Sequence, residues 1–356
     1  MRDFFDLSFD EVTATLASWG EPLFRAPQAW EWAWRHLATE FGQMTNLPAR
    51  LRARLAETFT IGQLALTACQ TDDQGTEKAL LNLADGQGVE AVLIREGNRR
   101  TVCVSTQVGC PVGCPFCATG AMGYVRDLTA GEIAAQVLHF ARALKPRGEH
   151  VTHVVVMGMG EPLLNYDATL KAIRNLNHLH GFALGARRFT VSTVGVVPGI
   201  DRLAEEGLQV NLAISLHAPD DALRRELVPL GEKWPIREVL TAADRYAQAT
   251  GRRVSYEYVL LAGVNDALAQ ARTLARLLRG RLAHVNLIPF NPAPGLPFTR
   301  PEEGRVDAFR RELVAHDVDA TVRRSRGVAI QAGCGQLRGS PAPAAGNGCR
   351  PPDPDL

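Results

Sequence analysis

The sequence predicts an α/β protein built on a parallel sheet, preceded by a small helical module. Two observations carry that fold class. Between about residues 100 and 325, apolar strand-like runs alternate with helical patterns, and a parallel sheet needs such crossovers. Before residue 85 the pattern is mostly helical, and three tryptophans (Trp30, Trp32 and Trp34) crowd one segment. A third observation concerns chemistry. Cys110, Cys114 and Cys117 form a C-x3-C-x2-C loop with no fourth cysteine close by. Closed structural metal sites take four ligands, so three in one loop imply a metal with an open coordination position.

Taken in order, Phe9-Asp10-Glu11-Val12 opens a helix, the tryptophan segment 28–36 continues at helical spacing, and Leu47-Pro48-Ala49 starts another helix with proline in its first turn. Runs 89–94 and 101–105, joined through Glu96-Gly97-Asn98-Arg99, predict a β-hairpin. Strand-like runs follow at 151–157, 188–192, 210–216, 254–261, 283–290 and 321–323. Helical segments lie at 130–144, 166–179, 236–250, 267–279 and 302–315. Five or six such units make a complete or partial barrel, or an open doubly wound sheet. In each case the loops at the strand C-terminal ends hold the site. The organisation expected is a helical accessory module at 1–85, a catalytic domain at 86–338 and a Pro/Gly-rich, disordered tail at 339–356.

Composition narrows the class. A chain of 356 residues that is 46% hydrophobic builds a sizeable core. A formal charge of +1 excludes a chain that binds nucleic acid through its overall charge and leaves room only for a local basic face. The N-terminal residues lack the apolar run of a signal peptide, and no run of ~18 apolar residues predicts a membrane span. Seven cysteines, an odd number in a long chain, argue against a secreted disulfide framework and for a reducing cytoplasm. Cys69 in an apolar stretch reads as packing, and Cys349 in the tail as incidental.

Several groups fall at predicted strand ends beside the cysteine loop: Met157-Gly158-Met159-Gly160-Glu161-Pro162, Ser192, Ser215-Leu216-His217 and Asn291. Glycines there let the backbone approach a ligand closely, and the polar groups suit a ribose and a carboxylate. The cysteine spacing, with Phe116 before the last cysteine, resembles the radical S-adenosylmethionine (SAM) superfamily. The resemblance implies that Cys110, Cys114 and Cys117 hold a [4Fe-4S] cluster whose fourth iron chelates SAM, and that an electron from the cluster yields a 5′-deoxyadenosyl radical. It further implies that Gly160, Glu161, Ser192, Ser215, Leu216, His217 and Asn291 bind SAM. The alternative is a structural zinc loop with a distant fourth ligand.

Two further cysteines narrow the resemblance. Cys334 lies in Ala332-Gly333-Cys334-Gly335-Gln336-Leu337, and Cys103 lies seven residues before Cys110. With Glu90, the cysteine loop and Gly160-Glu161-Pro162, this set resembles the RlmN/Cfr family from about residue 5 to 338. That implies a radical SAM partial (β/α)6 barrel acting on adenosine in 23S rRNA, and in tRNA as relatives do. It implies two SAM per turnover: one methylates Cys334, and the radical from the other activates that methyl for addition to adenine C2. Cys103 then resolves the covalent RNA adduct through a disulfide, and Glu90 accepts a proton or assists positioning. Expected partners are the RNA and a reductant such as flavodoxin, with no membrane and a monomeric chain. Arg187-Arg188, Arg224-Arg225 and Arg323-Arg324-Ser325-Arg326 are candidate phosphate contacts. Three alternatives remain: the C8-methylating resistance branch, a glycyl-radical activase, and a non-catalytic iron–sulfur or zinc RNA-binding protein.

Overall fold

A computed structural model describes residues 1–62 and 64–339. The tail from 340 to 356, with Cys349, lies outside the described residues. The N-terminal module contains α1 (Phe9–Ser18), α2 (Arg25–Trp34) and α3 (Ala49–Thr58). Ser8 starts α1 with a capping box: its hydroxyl accepts from the Glu11 N–H, and the Glu11 carboxylate accepts from the Ser8 N–H. Apolar spacing on these helices buries Trp30 and Trp34 completely. Phe4 packs edge-on against Phe41 and Phe59, while Phe5 meets the Trp34 ring at 4.7 Å. Polar contacts dock the module on the rest of the chain. Asp6 accepts from the Gly131 N–H (2.7 Å), and Asn175 donates to the Leu7 carbonyl (2.9 Å).

One ten-stranded sheet forms the remainder, and its spatial order is the chain order. An antiparallel meander comes first: β1 (Ala65–Thr71), β2 (Glu77–Asn82), β3 (Gly88–Glu96) and β4 (Arg99–Cys103). The β3–β4 hairpin is the one expected, turning at Gly97 with φ +51°. From β4 onward every pairing is parallel, through β5 (His153–Val156), β6 (Phe189–Thr193), β7 (Asn211–Ser215), β8 (Val254–Leu260), β9 (Ala283–Pro289) and β10 (Ala320–Val322). The crossovers are α4 (Ala130–Leu144), α5 (Tyr166–Asn177), α6 (Val197–Glu205), α7 (Asp221–Leu227) with α8 (Ile236–Thr250), α9 (Leu268–Leu278) and α10 (Glu303–Ala315). Six strand–helix units run from β4 to β10, as expected for the partial (β/α)6 barrel.

Alternation along each strand separates core from lumen. On β8, Tyr256, Tyr258 and Leu260 are buried, and the Tyr258 ring meets Phe309 of α10 at 5.3 Å. Ser255, Glu257 and Val259, the intervening residues, line the barrel interior.

Three features differ from expectation. Residues 65–82, expected in the helical module, form β1 and β2 of the main sheet, because β2 finds its partner in β3 and β1 in β2. Helices α6 and α7 are short, and their apolar period spans too few turns to stand out in sequence. A small hairpin, Gln107–Gly109 with Tyr124–Asp127, brackets the cysteine loop.

Because Trp34 is fully buried where the module meets the barrel, Trp34→Ala is expected to cost about 3–5 kcal/mol. A denaturant midpoint indistinguishable from the parent would contradict this role.

Candidate active site

The small hairpin presents the cysteine loop. Gly109 has φ +75°, and a Cβ there would lie 1.9 Å from the Gly123 carbonyl, which itself accepts from the Cys110 N–H. Only glycine permits that approach. The loop then folds so that Cys117 N–H donates to the Cys114 carbonyl, and all three cysteines line one cleft at the C-terminal ends of the parallel strands. Burial pushes the Cys110 thiol up to about 12, helped by the Cys117 and Glu161 charges. Burial, with the charges of the other two cysteines, pushes Cys114 well above its usual range. Three thiolates in so dry a place need a cationic centre. An iron–sulfur cluster fits that donor set, as the spacing predicts.

Most of the expected cofactor-binding residues reach the same cleft: Gly160, Glu161, Ser192, Ser215, His217 and Asn291 all line it. Gly160 has φ +104°, and a Cβ there would fall 2.7 Å from the Gln107 side chain. Glu161 is buried, and its carboxylate accepts from the Leu163 and Val194 N–H groups (3.0 and 2.8 Å). Desolvation nevertheless raises it to about 7. Ser192 and Ser215, on neighbouring strands, bring their hydroxyls within 3.3 Å. His217, at φ +61°, accepts from the Val259 N–H through Nδ1, and burial lowers its pKa to about 3. Its ring is therefore neutral, with the proton on Nε2. Leu216 is fully buried and does not line the cleft; its N–H donates to the Glu257 carbonyl.

Cys334 sits on the segment after β10 and lines the cleft with the three loop cysteines. That segment is tightly held. Asn291 donates to the Cys334 carbonyl (3.2 Å), and Gln336 accepts from the Gly333 N–H and donates to the Pro292 carbonyl. Ala118 N–H donates to the Gly335 carbonyl, and the Thr119 hydroxyl to the Leu337 carbonyl, which ties the segment to the cysteine loop. Cys103, at the end of β4, is held up at about 12 by burial and by the Cys334 charge, against the pull of Arg323. Cys103 and Cys334 are both free thiols.

Glu90 lies behind this segment rather than on the cleft wall. It forms an ion pair with Lys78 at 3.0 Å in which both side chains are about 95% or more buried, and its other oxygen accepts from the Arg338 N–H (2.7 Å). Lys78 also donates to the Gln331 carbonyl (3.4 Å). The pair thus grips the segment on both sides of Cys334. Among the proposed phosphate contacts, Arg224 is buried and donates to the Trp234 and Val194 carbonyls, which removes it from any RNA surface. Arg187, Arg188 and Arg225 remain exposed.

Lys78 and Glu257 escaped the sequence, and Arg323, a candidate phosphate contact there, faces the cleft. Lys78 pairs with Glu90 across two strands, and no local pattern announces it. Glu257 and Arg323 both line the cleft; Glu257 Oε2 is buried without a hydrogen-bond partner, and desolvation raises its carboxyl. A lone acid inside the apolar run 254–261 was the available signal.

Comparison with known proteins agrees with this geometry. Residues 2–61 match the model of the ribosomal RNA large subunit methyltransferase N-terminal domain, and residues 104–275 match the radical SAM superfamily. The chain is 51% identical to a Symbiobacterium thermophilum protein named "Probable dual-specificity RNA methyltransferase RlmN", over 93% of this chain and 90% of that one. A Thermotoga neapolitana protein of the same name is 47% identical over 95% of this chain and 98% of its own. A crystal structure of a radical SAM methyltransferase from Sphaerobacter thermophilus superposes with a TM-score of 0.93 at 52% identity, covering 96% of this chain and all of that one. Among the described residues, no helix is long and apolar enough to cross a membrane.

Lys78→Met removes the cation from a buried carboxylate, an expected loss of about 3–5 kcal/mol by chemical denaturation. Combining it with Glu90→Leu is expected to recover much of that loss. Equal destabilisation by the single and double variants would rule out the ion pair as its cause.

Proposed function

The chain belongs to the RlmN family of radical SAM RNA methyltransferases, and on that premise we propose that it methylates adenine C2 in 23S rRNA and in tRNA, using two SAM molecules per turnover. The observation that carries this reading is Cys334 sharing one cleft with the three loop cysteines, with Cys103 close enough for their charges to interact. A cluster enzyme that only released a radical would have no use for that second pair of thiols.

Cys110, Cys114 and Cys117 would hold the [4Fe-4S] cluster, which when bound supplies the electron that splits SAM. The chain's own residues do the rest. Gly160 gives close backbone approach at the end of β5, and the Glu161 carboxylate braces that turn against β6. Ser192 and Ser215 offer hydroxyls for the ribose, and neutral His217 offers Nε2–H. Asn291 and Gln336 fix the backbone around Cys334, so its sulfur receives the methyl group and presents it from one position. The C2 carbon of adenine bears no acidic proton, which is why a carried, activated methyl is needed rather than direct displacement.

Release needs Cys103 as a thiolate attacking the Cys334 sulfur: an S–S bond forms, the S–C bond breaks with its electron pair passing to the methylene carbon on the base, and that carbon takes up a proton to become the methyl group. Burial opposes that charge, and the Arg323 guanidinium opposes burial. Glu90 serves as the proton acceptor or as a positioning group behind the segment, with one oxygen on Lys78 and the other on the Arg338 N–H.

With the cluster reconstituted anaerobically and a strong one-electron reductant, treated rRNA is expected to yield 2-methyladenosine on nucleoside mass analysis. Finding 8-methyladenosine, or no SAM cleavage, would defeat the reading. Cys103→Ala is expected to accumulate a covalent RNA–protein adduct on denaturing gels; free turnover by this variant would remove the resolving role.

A further inference from the structure

A second cavity opens at the other end of the barrel, at the N-terminal ends of the parallel strands. Six arginines line it: Arg99, Arg252, Arg253, Arg323, Arg324 and Arg326. Its only carboxylates are Glu96, which pairs with Arg326 at 3.6 Å, and the deeply buried Glu257. Among the described residues, no carboxylate lies within ion-pair distance of Arg99, Arg252, Arg323 or Arg324. Elsewhere arginines such as Arg95, Arg100 and Arg126 meet acid partners. Arg253 meets Asp319 at 3.5 Å and Arg326 meets Glu96, so four of the six lack an acid partner within ion-pair distance; like charges gathered in this way raise the energy of the free protein, and a polyanion relieves it. Arg252 Nε is moreover buried without a partner.

This mouth continues in both directions. Arg99 and His153 also line a neighbouring cavity at the junction with the N-terminal module, where Arg35, Lys145 and Arg188 join them and Arg188 reaches the His153 ring at 3.0 Å. A basic track therefore runs from the module to the barrel mouth. Inward, Met157, Glu257 and Arg323 line both this cavity and the cleft of Cys334. Ser255, Glu257 and Val259 mark the passage along one strand, about 13 Å at ~3.3 Å per residue.

We propose that the arginine-lined mouth at the strand N-terminal ends is the docking surface for the RNA backbone, and that the target adenosine enters the barrel lumen from there, unstacked, to meet Cys334 from below. Phosphates rest on Arg99, Arg253 and Arg324, which are exposed, while the base follows the path beside Glu257. This inference rests on the proposed action on RNA.

The test compares the triple variant Arg99→Gln/Arg253→Gln/Arg324→Gln with a charge-matched control, Arg237→Gln/Arg305→Gln/Arg311→Gln, whose exposed arginines line neither cavity. Binding of a labelled single-stranded stem–loop RNA is measured across a salt series on the reconstituted full-length protein. The first variant is expected to raise Kd at least about tenfold and to reduce the salt slope by about 2, at ~0.7 per lost contact. Its SAM cleavage without RNA stays at the parental rate. Unchanged affinity and slope would overturn the docking surface, as would an equal loss in the control. If the parent protein itself neither binds nor modifies RNA, the proposed function has failed, and the docking surface with it.

Discussion

An open sheet must be closed by something, and here the closing segment carries Cys334. The partial barrel has two free edges, β10 and the outer meander. After β10 the chain crosses from one side to the other. Arg326 contacts Gln74 and Glu96, the Gly327 N–H donates to Asp72, Lys78 holds Gln331, and Glu90 holds Arg338. Cys334 sits in mid-span, tied on its inner side to the cysteine loop and to Asn291. Each end of that crossing rests on one buried ion pair. Removing both charges from water costs several kcal/mol per ion, recovered only through close contact and full hydrogen bonding. Lys78 and Glu90 meet that condition because each has a backbone partner besides the other. Strands β1–β3 thus serve the site although they contribute no residue to the cleft wall.

Burial sets the electrostatics of the cleft. Cys103, Cys110, Cys114, Glu161 and Glu257 are all pushed toward their neutral forms by desolvation. Cations oppose this from two sides: Arg323, within reach of the Cys103, Cys334 and Glu257 charges, and Arg224, near Cys114. Their placement divides the labour. Arg224 is locked to main-chain carbonyls and belongs to the loop-cysteine side. Arg323 lines the lumen, within reach of the Cys103 and Cys334 sulfurs. Neutral His217 adds a donor without adding a charge.

Much of this was legible in the sequence, for a definite reason. Cluster ligands must lie close along the chain to share one loop, and strand C-terminal ends recur at regular intervals, so Cys110, Cys114, Cys117, Gly160, Ser192, Ser215 and Asn291 all announce themselves by position. Cys334 is visible because glycines flank it. What stayed hidden depends on tertiary register. Lys78 and Glu90 lie on neighbouring antiparallel strands, with Leu80 directly opposite Glu90, so their contact is diagonal and invisible without the pairing. Leu216 stands between two cleft residues yet points into the core, as side-chain alternation at a strand end demands. Arg224 and Arg225 look alike in sequence, but one is buried and the other exposed, because only one faces the body of the protein from α7.

The same argument explains how a chain of net charge +1 acquires a strongly basic face. Arg99 opens β4, Arg252 and Arg253 precede β8, and Arg324 and Arg326 follow β10. These segments lie more than 200 residues apart at the extremes, and no window of sequence contains the cluster. Parallel pairing aligns strand starts as surely as it aligns strand ends, and the closing segment after β10 adds its arginines to the same rim. Acid partners are used up elsewhere, on α4 by Arg126 and in the β3–β4 corner by Arg95 and Arg100. One topology therefore separates two ends of the lumen: a cleft lined by four cysteines at one, and a cluster of arginines at the other, with Glu257 and Arg323 where the two meet.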